Sequence, residues 1–264
     1  NAFLGCSALT NIDIPENVTE IKSDTFSECK NLRSIELSKN VKSVSSYAFD
    51  GCSNLEKIEV NENNENYIDE NGILFNKQKT KIIKYPAKKS EVSYYIPEGV
   101  TWIDGGAFQE CDNLVNIYIP ESVTTIRWQA FEGCSALTNI EIPDTITDIE
   151  SSTFSGCSSL ANITVPESVT NIKWGAFSGC SSLTSIEIPK GVTSIEDSTF
   201  SGCSSLTSIK IPEGVTSIGT YAFDGCSSLT NIHIPESVTD IEWSAFSNCS
   251  SLVSIKIPNK VTTI

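Results

Sequence analysis

Histidine occurs once in this chain of 264 residues, at His233, and methionine is missing altogether. Positive charge is also scarce: 18 lysines and arginines stand against 33 aspartates and glutamates, a formal net charge of −15. Such a balance repels phosphate backbones and anionic lipid heads, and the basic residues gather into no stripe, so nucleic acid is not an expected partner. No apolar run approaches the roughly 18 residues that a membrane span requires, and membrane insertion within these residues is not expected. No two cysteines have the C-x2-C spacing of a zinc site. No acidic loop sets calcium ligands at alternate positions around a turn glycine. Neither a metal nor a cofactor is therefore expected.

What the chain has is a period. Its ten cysteines, at positions 6, 29, 52, 111, 134, 157, 180, 203, 226 and 249, are 23 residues apart everywhere except across a single gap of 59. A repeat of this length is one supersecondary unit that buries its apolar face only against its neighbours, so the chain must stack into an elongated solenoid. Aligned on cysteine, a unit reads C-S-S-L-T-S-I-x-I-P-x-x-V-T-x-I-x-x-x-A/T-F-x-G, as from Cys203 to Gly225. Within it Leu206, Ile209 and Ile211 follow the L-x-x-L-x-L spacing of leucine-rich repeats, a short strand with alternate side chains inward. Pro212 ends that ladder, having no N–H to donate. Val215 and Ile218 fit a second short strand on the return side. The fold class expected is a β-rich leucine-rich repeat solenoid of about ten coils, with two parallel strand columns and a continuous aromatic spine from Phe3 to Phe246. Residues 1–264 read as one domain.

The long gap holds Gly72-Ile73-Leu74-Phe75 and Lys81-Ile82-Ile83-Lys84-Tyr85, two β-prone runs separated by Asn76–Thr80. They predict a β-hairpin inside one oversized, irregular unit at about 61–92. The preceding Asn61-Glu62-Asn63-Asn64-Glu65-Asn66 predicts an exposed turn. Because every cysteine occupies one inward column, neighbouring thiols stack side by side rather than converge. This favours a buried ladder of free thiols over disulfide rungs. Thiol catalysis needs a base, and His233 lies on an outward position of a strand.

Function must therefore use the outward positions. Between the two inward residues of each front strand runs the column Asp13, Glu36, Glu59, Tyr95, Tyr118, Glu141, Thr164, Glu187, Lys210, His233, Lys256. It is acidic at one end, aromatic next, then mixed, and basic at the other end. Tyr95, Tyr118, Glu141, Glu187, Lys210, His233 and Lys256 are the candidate partner-binding residues, with the two adjacent tyrosines foremost. Three residues before each Phe, tryptophan stands at Trp128, Trp174 and Trp243 where other units have Ser, Gly, Asp or Thr. These are candidate rim aromatics, able either to stack on a sugar or a partner's apolar patch, or to fold back over the neighbouring repeat. Carboxylates in identical rows are poor candidates for catalysis, which needs unlike environments around paired acids.

The repeated unit, together with Asn71–Asn76 leading to Tyr85-Pro86, resembles the BspA-like leucine-rich repeat family of 23-residue repeats. The resemblance implies a non-enzymatic secreted or cell-surface protein acting in adhesion, with host matrix or neighbouring-cell proteins as partners. It supplies no catalytic residues. A carbohydrate-recognising or spacer module is the alternative. The chain opens and closes in mid-repeat, so a signal peptide and an anchor are expected outside it, with an extracellular or cell-surface location.

Overall fold

A computed structural model describes all residues from Asn1 to Ile264. The coils stack in register along two strand columns. In the front column Asn11–Asp13, Ser34–Leu37 and Lys57–Val60 form one parallel sheet. Ser93–Tyr95, Asn116–Tyr118 and Asn139–Ile140 form a second, and Ser185–Glu187 with Ser208–Lys210 a third. Single bridges from Glu141 to Thr164 and from Lys210 to His233 carry the column onward. The return column is built of two-residue strands such as Ser194–Ile195, Ser217–Ile218 and Asp240–Ile241, again parallel. Isoleucine faces isoleucine at each step, for example Ile12 with Ile35 and Ile117 with Ile140, so like residues lie over one another.

A third line of hydrogen bonds runs along the Phe turn, where Phe131, Phe154 and Phe177 donate their N–H to Thr153, Ala176 and Thr199 of the following coil at 2.9–3.0 Å. The Phe carbonyl is shared as well. That of Phe131 accepts the N–H of Cys134 in its own turn and the thiol of Cys157 in the next coil, each at 3.2 Å. The same thiol bond recurs from Cys180 to Phe154 and from Cys203 to Phe177. Cysteine suits the column for two reasons: it is small and apolar, and its S–H satisfies a buried acceptor. All ten thiols are free and eight are buried. Burial pushes the Cys52 and Cys180 thiols up to about 12, so they stay protonated and unreactive. Before each of these cysteines the backbone turns left-handed. Gly156, Gly179 and Gly202 adopt φ of 72–74°, and a Cβ there would sit at ordinary contact distance from the preceding glycine, 3.4–3.5 Å. The left-handed backbone rather than crowding explains the Gly column.

The irregular unit is larger than a hairpin. Ile73–Asn76 and Lys81–Lys84 do pair antiparallel, but a third strand, Tyr67–Glu70, joins the outer edge. Lys81 and Ile82 then pair in parallel with Trp102 and Ile103, so the hairpin's second strand is itself a rung of the return column. Tyr67–Glu70 escaped the sequence reading because its side chains are at most half-buried and carry no apolar alternation. The run 61–66 does turn, but it is not wholly exposed. Asn64 is buried, its Nδ2 donating to the carbonyls of Ser38 and Val41 at 2.8 and 3.0 Å while its Oδ1 accepts from the N–H groups of Asn66 and Tyr67. Side chains thus stand in for a missing coil: Tyr67 Oη accepts from Val44 N–H, and Asp69 Oδ1 from Val60 N–H, each at 2.9 Å.

This unit also divides the core. Leu74 and Ile83 pack with the residues of the first three coils, whereas Ile73, Phe75 and Ile82 pack with everything that follows. Alternate side chains of two strands face opposite cores, as the period-2 geometry of a strand dictates. The expected continuous spine is accordingly two stacks. Phe3, Phe26 and Phe49 form one, and Tyr85, Phe108 and the later phenylalanines to Phe246 the other, at ring spacings of 5.2–5.9 Å. Tyr85 takes the Phe position at the head of the second stack, a substitution hidden by the irregular spacing.

At this seam Lys84 is buried and donates to the carbonyl of Gly106 at 2.8 Å. Across from it the Asp50 carboxyl has its Oδ1 buried without a partner. Burial raises Asp50 from 3.8 to about 6; Lys84 opposes the rise, and Asp24, Glu132 and Glu110 add to it. Folding therefore favours the protonated acid. The resulting stability is complete in acid and is lost as the pH climbs from about 4 through about 6. Asp50→Asn is expected to stabilise the chain by up to about 2 kcal/mol at pH 7.5, after allowance for partial solvent screening, and by almost nothing at pH 4. Urea denaturation of both proteins across this range checks it, and an equal effect at the two pH values would contradict the assignment.

Candidate functional site

Proline ends most front strands, though Ser38 and Asn61 follow the second and third, and the inward apolar residues hold the register, so the residue between them projects outward. Every residue of the Asp13-to-Lys256 column is exposed. Tyr95 and Tyr118 are in-register partners on adjacent strands. Their rings stack at 4.2 Å between centroids and 7° between planes, while 68% and 41% of the two residues remain exposed. The Tyr118 phenol is pushed above its ordinary value, first by the neighbouring Tyr95 phenol and more weakly by burial and Glu141. Glu141 follows directly on the next coil.

The charged residues beyond them are less free than a column read in isolation implies. His233 Nε2 lies 3.7 Å from Glu213, and Lys256 Nζ lies 3.1 Å from Glu236. At the opposite end Lys57 reaches Glu59 at 2.7 Å. The acids that follow the prolines, which look like a separate edge in the sequence, rise against the front column and neutralise part of its basic end. Glu187 and Lys210 are strand partners. With Glu167, Lys190 and Glu213 they line a cleft of about 290 Å³ at the corner where strand meets turn. Lys190 was not among the residues singled out from sequence. Its place in a unit that reads I-P-K-G-V, where four others have I-P-E-S-V or I-P-E-G-V, was the available signal.

The three rim tryptophans do not behave alike. Trp128 folds back over its neighbour. A Cβ on Gly105 would come within 2.9 Å of the indole Nε1, and the ring meets Tyr47 edge-on at 4.7 Å. Tyr47 in turn donates from Oη to Gln129 at 2.9 Å. Glycine at position 105 and tryptophan at 128 are thus one packing unit that covers the seam. Trp174 and Trp243 are 56% and 68% exposed, the latter resting edge-on against Tyr221 at 4.8 Å. The fourth tryptophan, Trp102, lies in the return column between two cations, with Lys81 Nζ and the Arg127 guanidinium 5.4 and 5.5 Å from its ring. Sequence inspection missed this arrangement, because the three residues are neighbours only across coils.

No group of three or more His, Cys, Asp or Glu side chains is arranged to hold a metal ion. No helix is long and apolar enough to cross a membrane. The face as built offers aromatic area bordered by carboxylates and a few paired cations.

Acrylamide should quench Trp174 and Trp243 readily and leave Trp128 shielded, as single Trp→Phe variants would resolve. Trp128→Ala is expected to cost about 2 kcal/mol of stability through lost packing, and Trp174→Ala less than about 0.5. Equal losses from the two would refute the distinction.

The comparisons agree with this architecture. The model for the BspA type leucine-rich repeat region matches in six copies, over residues 1–96, 87–206 and 173–264. A leucine-rich repeat protein from Eubacterium ventriosum is 33% identical with a TM-score of 0.81, covering 96% of this chain and 67% of its own. A leucine-rich cell surface protein from Faecalibacterium prausnitzii is 29% identical with a TM-score of 0.61, covering 94% of this chain and 65% of its own. The chain thus spans about two thirds of the length of these two relatives. The leucine-rich repeat protein of T. pallidum is 32% identical over 65% of this chain and 82% of its own, at a TM-score of 0.59. No curated protein matches. Leucine-rich repeat solenoids are typically non-enzymatic and suited to binding proteins. With repeat matches from its first residue to its last, the chain belongs to the BspA-type leucine-rich repeat family.

Proposed function

We propose that residues 1–264 act as one elongated, non-enzymatic binding module of a secreted or surface-held protein, working in adhesion to host matrix or neighbouring-cell proteins. The observation that carries this reading is the stacked, exposed pair of Tyr95 and Tyr118 at 4.2 Å on the front face. Each ring restrains the other, so a partner that lands on them has less side-chain freedom to freeze out. Tyrosine also brings a large apolar area with a polar tip, the combination enriched at binding hot spots. Glu141 and Glu187 extend the patch along the column and favour a partner with basic residues beside an apolar anchor. Support for a surface location comes from the family and from a relative described as a cell surface protein.

A second reading, carbohydrate recognition along the rim, draws on the exposure of Trp174 and Trp243. Glycan arrays separate the two, since a rim that stacks sugars loses its signal on Trp174→Ala or Trp243→Ala.

For the leading reading, the purified chain is expected to bind immobilised matrix proteins or cells. The double variant Tyr95→Ala, Tyr118→Ala should weaken that binding at least about tenfold, or about 1.4 kcal/mol, with its melting temperature unchanged. Undiminished binding by a folded double variant would remove the patch.

A further inference from the structure

The seven tyrosines have very different surroundings. Tyr85 is fully buried. Tyr94 is half-buried and meets Tyr85 edge-on at a 60° interplanar angle. Tyr47 and Tyr221 stand edge-on against tryptophan. Tyr67 is held by the backbone of Lys42 and Val44. Only Tyr95 and Tyr118 join parallel stacking with exposure of both rings. Their strands fix the two Cα atoms as direct partners, so both rings start from adjacent positions on one face.

We propose that Tyr95 and Tyr118 form an intramolecular oxidative cross-linking site, joined as dityrosine by a peroxidase with hydrogen peroxide as the terminal oxidant. Each phenol gives up one electron and its hydroxyl proton to become a phenoxyl radical, whose unpaired electron is shared with the two ring carbons ortho to the oxygen. A Cε of one ring bonds to a Cε of the other. The hydrogens on those two carbons then leave and the phenol oxygens regain protons, restoring both aromatic rings. Two hydrogens are lost from the chain, and one peroxide becomes two waters. Stacking favours the step because the second radical forms within contact distance of the first. Exposure lets the oxidant reach both rings, and a small rotation of each about its side chain, of the kind exposed residues make on fast timescales, brings the ortho carbons together. The product closes one coil covalently on the front face. It needs no binding partner, so a chain that cross-links but binds nothing would refute only the adhesion reading.

The test treats the intact chain at low concentration with peroxidase and limiting hydrogen peroxide. The expected product is a monomer lighter by two hydrogens, with the blue fluorescence of dityrosine. Cleavage after glutamate, at Glu98 and Glu110 between the two tyrosines, should leave their fragments joined. Tyr95→Phe and Tyr118→Phe should each reduce the signal at least tenfold, and Tyr94→Phe should leave it unchanged. Cross-linking confined to dimers, a signal that survives Tyr118→Phe, or oxygen addition without coupling would each overturn the proposal.

Discussion

The Phe-turn carbonyl is the constraint on which the stack depends. It is buried and has two lone pairs to satisfy, and the chain meets both, one from the cysteine N–H of the same turn and one from the cysteine thiol of the next coil. That bond can form only if successive coils are in register, with Cys above Cys and Phe above Phe. Register in turn aligns the isoleucine ladders and brings the glycine turns within contact of one another. A shift of one residue would break the thiol bond, misplace the left-handed turn and expose the isoleucines together. The fold is therefore specified several times over by one repeated unit, as expected of a solenoid in which each coil supplies its neighbour's core.

Where the repeat fails, the chain builds a replacement from side chains. Tyr67 and Asp69 accept from the N–H groups of Val44 and Val60, and Asn64 takes over the Val41 carbonyl that a Ser or Thr hydroxyl of the next coil meets elsewhere. The strands at Ile73–Asn76 and Lys81–Lys84 form a wall with a core on either side. This solution leaves a cost in the same place: a buried Lys84 side chain, an unpartnered oxygen on Asp50, and an aromatic stack broken between Phe49 and Tyr85. Buried polar groups with incomplete partners are expensive, so the seam is the electrostatically least settled part of the molecule.

The surface follows from the core by subtraction. Packing claims the isoleucines, leucines, cysteines and phenylalanines, and what is left on the front strands is a row of outward positions one coil apart. Over most of its length that row mixes charges already answered by neighbours, as at His233 and Lys256. At Tyr95 and Tyr118 it becomes aromatic on consecutive coils. The same alignment that stabilises the interior therefore places two phenol rings in parallel contact with solvent.

Sequence by itself determined the coil length, the inward columns, the two strand columns, the free thiols and the outward position of Tyr95, Tyr118 and the charged residues after them. All of these depend on contacts that recur with the repeat, so periodicity is enough to read them. Tertiary structure alone decided what happens between unlike coils. It turned Trp128 inward over Gly105 while leaving Trp174 out, set Trp102 between Lys81 and Arg127, and put Tyr85 at the head of a stack otherwise made of phenylalanine. It also buried Asn64 in what reads as a polar turn. Such contacts join residues that no shared period relates. They depend on which particular side chain the next coil happens to present, and that is known only once the coils are stacked.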